Sequence, residues 1–482
     1  MSPISRQLYD IVYVDTGNVL CQQVTHAITE NPTIMFEEFP QSIVGGDSNI
    51  KSNFQYLLFM INETSLKKYK ARQCLALIDI LNTLVAVDTP RIGVELLQTK
   101  IGKQTGFFCL IKVIDHLINH QRSEIVSKMV TIFNCLATQD IANVLQGLSI
   151  VQQHGFYVGE NSFLSLINTI REAIERKQSI ELSRLVGILE YLSQSDAAVV
   201  LTGLLEGNLA DKNGFYYLVI AIRYAVANSE MSASGTKLLG ILACLIVVDN
   251  TNVLKKLSKR EGSGERTGFH LLARAFSIAA EKRNEIHLSK ISGILEALSK
   301  ENVETVLFGM SSRQDDGFSY LQNALNQKYV ILSAKYLLPL LLIWNEFPHH
   351  IPKTFKHALI HVQDELCNKL INLSKEKENM VNTQAAFNLL DKAVARNTLL
   401  EEIFNSGFLP WRKPCMQRIQ LAKSDLANRK EEQAVCIESV SSAIFSLWHD
   451  KRGELRQRKI IKSKENDLQD TADNGVRHVQ HP

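Results

Sequence analysis

The chain has 482 residues, 45% of them apolar, with a net charge of +3. That balance is too near neutral to make nucleic acid the general partner of the whole chain, and the apolar content argues against a wholly disordered one. Eight cysteines lie scattered without a C-x-x-C pair, which argues against a disulfide framework and for reduced thiols in a cell interior.

Residues 1–50 read as an N-terminal helical cap. Met1 to Asp10 carries no basic-then-apolar leader. Ile11 to Tyr13 reads as a short strand or the start of a helix, and Val19 to Ile28 as a helix that stops before Asn31-Pro32. The stretch Val14-Asp15-Thr16-Gly17 matches the Asp-Thr-Gly loop of aspartic proteases and loosely resembles the nucleophile loop of haloacid-dehalogenase phosphatases. The first needs a second Asp-Thr/Ser-Gly, and Asp47-Ser48-Asn49 lacks the glycine. The second needs a parallel sheet, whereas the chain offers helical spacing. Asp15 therefore reads as a turn or helix-start residue.

From residue 51 to 350 one pattern recurs six times. An opening aromatic falls at Phe54, Phe107, Phe163, Phe215, Phe269 and Phe318, preceded by Gly in four copies (Gly106, Gly214, Gly268, Gly317). An Ile-Leu-x-x-Leu landmark follows, in its clearest forms at Ile80, Ile188, Ile241 and Ile294, and as Ile132-Phe133 in the second copy. An acidic or amide position comes next, at Asp88, Asp140, Asp196, Asp249 and Asn302; the sixth copy has Ile351. Steps of four then give Ile92, Val144, Val200, Val253 and Val306, and Leu96, Leu148, Leu204, Leu257 and Met310. The spacing predicts three helices per unit: A from Gly-Phe, B ending at the Ile-Leu landmark, and a short C after the acid, each with one apolar face. The acid is expected to N-cap helix C, and the Gly to permit a positive-φ turn.

The junctions between units supply candidate contact residues. Ser149 to Ser162 is longer than its counterparts and holds His154 and Tyr157. Lys255 to Arg266 (KKLSKREGSGER) is basic and glycine-rich, but it does not match a phosphate-binding G-x-x-x-x-G-K-[ST] loop. The sixth unit is worn, and Pro339 interrupts its helix B. The longest apolar run, Tyr336 to Trp344, is half the length a membrane helix needs, so no transmembrane segment is expected. His357 and His361 are four apart, yet the H-E-x-x-H form that would bind zinc is missing, so no metal or other cofactor is expected. Residues 351–450 read as a C-terminal helical cap or decayed repeat, in which Trp411, Arg412 and Lys413 form a turn with interface-type chemistry. Residues 451–482 are a basic run, with seven basic residues against one acid up to Lys464, followed by a polar tail expected to be disordered. That run suits a nuclear address, a membrane-surface contact or a solvated helix end.

The phased Gly-Phe, Ile-Leu-x-x-Leu and Asp landmarks resemble the armadillo/HEAT class of α-solenoids, although the unit, at 53 residues from Phe54 to Phe107, is longer. The resemblance implies an all-α, right-handed superhelical solenoid of about six three-helix repeats with helical caps. It also implies a groove, lined by C helices, that grips a protein or peptide. Asn143, Gln146, Lys255 and Lys256 then become candidate contacts. The regular helical style also resembles effectors that intracellular bacterial pathogens secrete into host cells. With no catalytic motif in the chain, the expected function is a non-enzymatic interaction scaffold. The alternative is a phosphoinositide- or nucleic-acid-binding module using 255–266 and 451–464.

Overall fold

The computed structural model describes residues 3–14, 17–37, 50–101, 104–153, 157–209, 212–260, 266–311 and 317–326, and scattered residues between 333 and 358. One compact unit comprises Met1–Tyr329 and Pro339–Phe355. A second comprises Val330–Leu338 and Lys356–Pro482, nearly all of it outside the described residues.

The first unit is an all-α solenoid of three-helix repeats. Its A helices are α3 (Asn53–Ser65), α6 (Gly106–Asn119), α9 (Ser162–Glu175), α12 (Gly214–Ala227), α15 (Gly268–Glu281) and α17 (Gly317–Asn326). The B helices are α4 (Ala71–Val87), α7 (Ser123–Gln139), α10 (Ser179–Ser195) and α13 (Ser232–Val248). Short C helices follow as α5 (Thr89–Gln98), α8 (Ile141–Ser149), α11 (Ala197–Glu206) and α14 (Asn250–Ser258). In the fifth repeat B and C are one kinked element, α16 (Glu285–Met310), broken at Asn302. Each A helix packs on the next A helix, and each B helix on the next B helix. The opening Phe of every unit is at most 1% exposed, so apolar burial within and between units supplies the main stabilisation.

The N-terminal segment is built like a repeat. Helix α1 (Pro3–Tyr13) packs on α3 as an A helix does, and α2 (Gly17–Glu30) packs on α4 as a B helix does. Where a C helix would follow, Asn31 caps a 3-10 turn at Pro32–Met35, just as Asp88 caps α5 ahead of Pro90. Ile11 to Tyr13 is therefore the end of a helix and not a strand. Asp15 lies outside the described residues.

The acidic position caps helix C in most units. Asp88 accepts from the Arg91 N–H, Asp196 from Ala198 and Val199, and Asp249 from Asn252. The Asn302 side chain does the same for Thr305 at 2.8 Å. Asp140 differs. Its carboxylate accepts from Asn143 Nδ2 and lies against Gly93 of the preceding C helix, where an added Cβ would sit 1.9 Å from Oδ2.

The glycines before Phe do not adopt positive φ; Gly159 is the glycine with positive φ among the described residues. Their role is close approach. An added Cβ on Gly106 would lie 2.7 Å from the Leu96 carbonyl oxygen, and one on Gly214 2.9 Å from that of Leu204. Helix A thus starts directly against the backbone of the preceding helix C. The A–B turns instead use non-glycine residues at positive φ, namely Gln121, Lys177 and Arg283. Side chains in these turns reach back one unit. The Arg122 guanidinium donates to the Lys67 carbonyl at 2.9 Å, Gln178 to Ile118 at 3.2 Å, and Lys282 to Ala227. These bonds tie each turn to carbonyls at or just beyond the end of the previous helix A.

Candidate partner-binding surfaces

Helix C presents an exposed register position two residues before its last core residue, and another two residues before its first core residue, at Pro90, Ala142, Ala198, Thr251 and Glu304. Val94, Gln146, Thr202, Lys255 and Phe308 occupy the position before the last core residue in repeats 1 to 5. All five are exposed, and Phe308 is 63% exposed, unusual for so large an apolar side chain. The positions immediately on either side of the row are buried or half-buried.

Of the four helix C residues expected to make contacts, Gln146 and Lys255 stand on this row with side chains unengaged among the described residues. Asn143 is half-buried and donates to both Asp140 carboxylate oxygens, at 3.1 and 2.9 Å. Lys256 is half-buried, and its Nζ donates to the Leu205 carbonyl at 2.9 Å. Tyr157 is half-buried, with its ring 5.3 Å from that of Phe108 and the Lys112 ammonium 4.6 Å above it. The long junction is bound on both sides. Gln152 accepts from the Thr105 N–H, and the Gly159 carbonyl accepts from the Asn208 N–H. His154, Trp411, Arg412, Lys413, His357, His361, Pro339, residues 261–265 and the 451–464 run lie outside the described residues.

A second polar row runs along the A helices, and reading for core faces alone passes over it. It begins with a buried ion pair, Lys112 to Glu160 at 3.2 Å, with the two side chains 11% and 4% exposed. One helical turn on, burial pushes the Asp115 carboxyl above its ordinary range, and burial also lowers His116 to about 4. Arg171 pairs with Glu172 and, at 2.8 Å, with Glu175. Further along come Arg223 beside Tyr224, and Arg274 near Tyr320. The signal that could have found this row is a polar residue five or eight places after each opening Phe, within otherwise apolar helices.

Among the described residues no group of three His, Cys, Asp or Glu side chains could hold a metal ion, and the five described cysteines are free thiols. Ser229–Val248 is long and apolar enough to cross a membrane by length and composition, with mean hydropathy 1.9; half of it is buried in the fold as helix B of repeat 4.

No protein-family model matches the chain, and no curated protein matches it. A solved structure described as "Circular tandem repeat protein with novel repeat topology and enhanced subunit contact surfaces" aligns with a TM-score of 0.30 and 13% identity. The alignment covers 88% of this chain and 87% of that one. A likeness at that TM-score carries no argument; the all-α repeat architecture rests on the helices themselves.

Proposed function

We propose that the chain is a non-catalytic interaction scaffold of armadillo/HEAT-like type that binds a partner protein or peptide across successive C helices. One observation carries this reading. The exposed C-helix position before the last core residue keeps its register through five repeats while its chemistry changes from Val to Gln, Thr, Lys and Phe. The frame around it barely changes, with Ile or Val and then Leu or Met at the flanking core positions. A constant frame with varied, outward-facing side chains gives an extended ligand a different contact in each unit. Phe308 supplies the large apolar group that anchors many interfaces.

The test is a variant carrying Gln146→Glu, Lys255→Glu and Phe308→Ser. All three side chains are exposed, so the thermal melt should match the unaltered chain. Proteins that the unaltered chain retains reproducibly from native extract should be lost from the variant. Full retention with an unchanged melt would remove the C-helix row as the binding surface.

A further inference from the structure

The cations of the polar A-helix row fall at two register positions, five and eight residues after the opening Phe. In repeats 2 and 3 the cations at these positions are neutralised within the chain. Lys112, at the first position, has Glu160 at 3.2 Å. Arg171, at the second, has Glu172 and Glu175. In repeats 4 and 5 the second position holds Arg223 and the first holds Arg274. Neither forms an ion pair with a described residue. Aromatic rings stand beside them: the Arg223 guanidinium lies 4.2 Å from the centroid of Tyr224, which takes the register place of Glu172, and that of Arg274 lies 5.7 Å from Tyr320.

The surroundings are cationic. Burial first, and then Arg274 and Arg266, pull Arg223 below the ordinary guanidinium range, although the neighbouring Tyr224 acts the other way. Next to Tyr224 opens a cleft of about 500 Å³ lined also by Lys177, Lys282 and Ile174. Its one carboxylate, Glu175, is already held by Arg171. A half-hydrated guanidinium facing other cations gains most from a carboxylate, which it can bind through two parallel N–H donors. Stacking on a ring fixes the guanidinium plane for that contact.

We propose that the A-helix surface of repeats 4 and 5 docks an acidic segment of a partner protein, with Arg223 and Arg274 binding its carboxylates and Tyr224 and Tyr320 serving as platforms. Among the described residues the arginines without a carboxylate partner span only two repeats. In repeats 2 and 3 Glu160, Glu172 and Glu175 already neutralise the row's cations, so a short acidic peptide fits this surface better than a long polyanion such as nucleic acid. The inference shares with the scaffold reading only that the ligand is a protein; it uses different helices.

The experiment titrates a fluorescein-labelled, glutamate-rich peptide with the full chain and follows anisotropy. A lysine-rich peptide and a short single-stranded oligonucleotide serve as comparators. The glutamate peptide should bind, and binding should weaken as salt rises. Arg223→Gln and Arg274→Gln should each weaken it about tenfold, Arg→Lys at either position should weaken it less, and Arg184→Gln on helix B should leave it unchanged. A measurement on the unaltered chain covers the case of a variant that does not fold. There the peptide should protect Arg223 and Arg274, but not Arg184, from phenylglyoxal. Unchanged affinity in both the Arg223→Gln and Arg274→Gln variants, absence of protection, or tighter arginine-dependent binding of the oligonucleotide would overturn the proposal. The C-helix variant above should bind the glutamate peptide normally, so the two readings fail separately.

Discussion

Replacing one glycine by alanine should have opposite effects at two places in this solenoid. Gly147 lies in helix C of repeat 2, under the ring of Phe107 in helix A. A Cβ there would stand 2.1 Å from Phe107 Cδ2 and 2.6 Å from Cε2, whereas carbon atoms in contact sit at about 3.5–4.0 Å. Phe107 is 0% exposed, so the ring cannot yield that distance without leaving its socket. Expelling a buried Phe forfeits up to about 3–5 kcal/mol, while alanine in place of a helical glycine returns about 1 kcal/mol. Gly147→Ala should therefore destabilise repeat 2 by about 2–4 kcal/mol. Gly293, in helix B of repeat 5, has nothing within 4 Å of an added Cβ. Gly293→Ala should stabilise by about 1 kcal/mol. Hydrogen exchange read by mass spectrometry, peptide by peptide, suits a repeat array whose units open separately. Faster exchange in α6 and α8 for Gly147→Ala, with slower exchange in α16 for Gly293→Ala, is the expected pair. Adding Phe107→Leu to Gly147→Ala should recover part of the loss. Equal or slower exchange in Gly147→Ala would refute the close A–C crossing. Repeats 1 and 4 carry Glu95 and Lys256 at this register, so the tight crossing belongs to repeats 2, 3 and 5, with Gly147, Gly203 and Gly309.

Acid should weaken the fold through His116. Its folded pKa is lowered to about 4, so its contribution is complete above the unfolded value of about 6.5 and is lost as pH falls toward 4. The urea midpoint should drop between pH 7.5 and pH 5 by an amount equivalent to at most about 2 kcal/mol, and His116→Gln should flatten that slope; an unchanged slope would contradict the assignment. Lys112→Met leaves Glu160 buried without its cation and should cost about 3 kcal/mol. Adding Glu160→Gln should return part of it, and strictly additive losses in the double variant would show that the pair is not coupled.

Much of this fold was legible because the repeat writes its register into large residues. Phe107, Ile132, Leu136 and Leu148 each recur at their place in other units, and a side chain that must fill the same socket in each unit leaves a phased trace. The Asp positions were legible for the same reason, since a cap needs an oxygen at one spot. The glycines were misread in mechanism. Sequence shows that Gly106 has no side chain but not that the Leu96 backbone occupies the space. The N-terminal unit was hidden because its C helix shrank to the turn at Pro32–Met35. The site was less legible than the frame. Gln146 and Lys255 follow from helical phase, but Asn143 and Lys256 are tied up by Asp140 and by Leu205, the latter in a neighbouring repeat. The A-helix cations were only partly legible as a site. Glu172 and Glu175 beside Arg171, and Tyr224 beside Arg223, stand in the sequence, but the approach of Glu160 to Lys112 and of Tyr320 to Arg274, each across a repeat boundary, does not.

The most direct test of the scaffold account is site-specific photo-crosslinking in native extract. A photo-reactive amino acid would replace, one at a time, Gln146, Thr202, Lys255 and Phe308 on the C helices, and Thr131 and Ile180 on the B helices as comparators. The account predicts that the same partner protein is captured from at least two adjacent C-helix positions and from neither B-helix position. Capture confined to the B helices, or different proteins from each C-helix position, would contradict it.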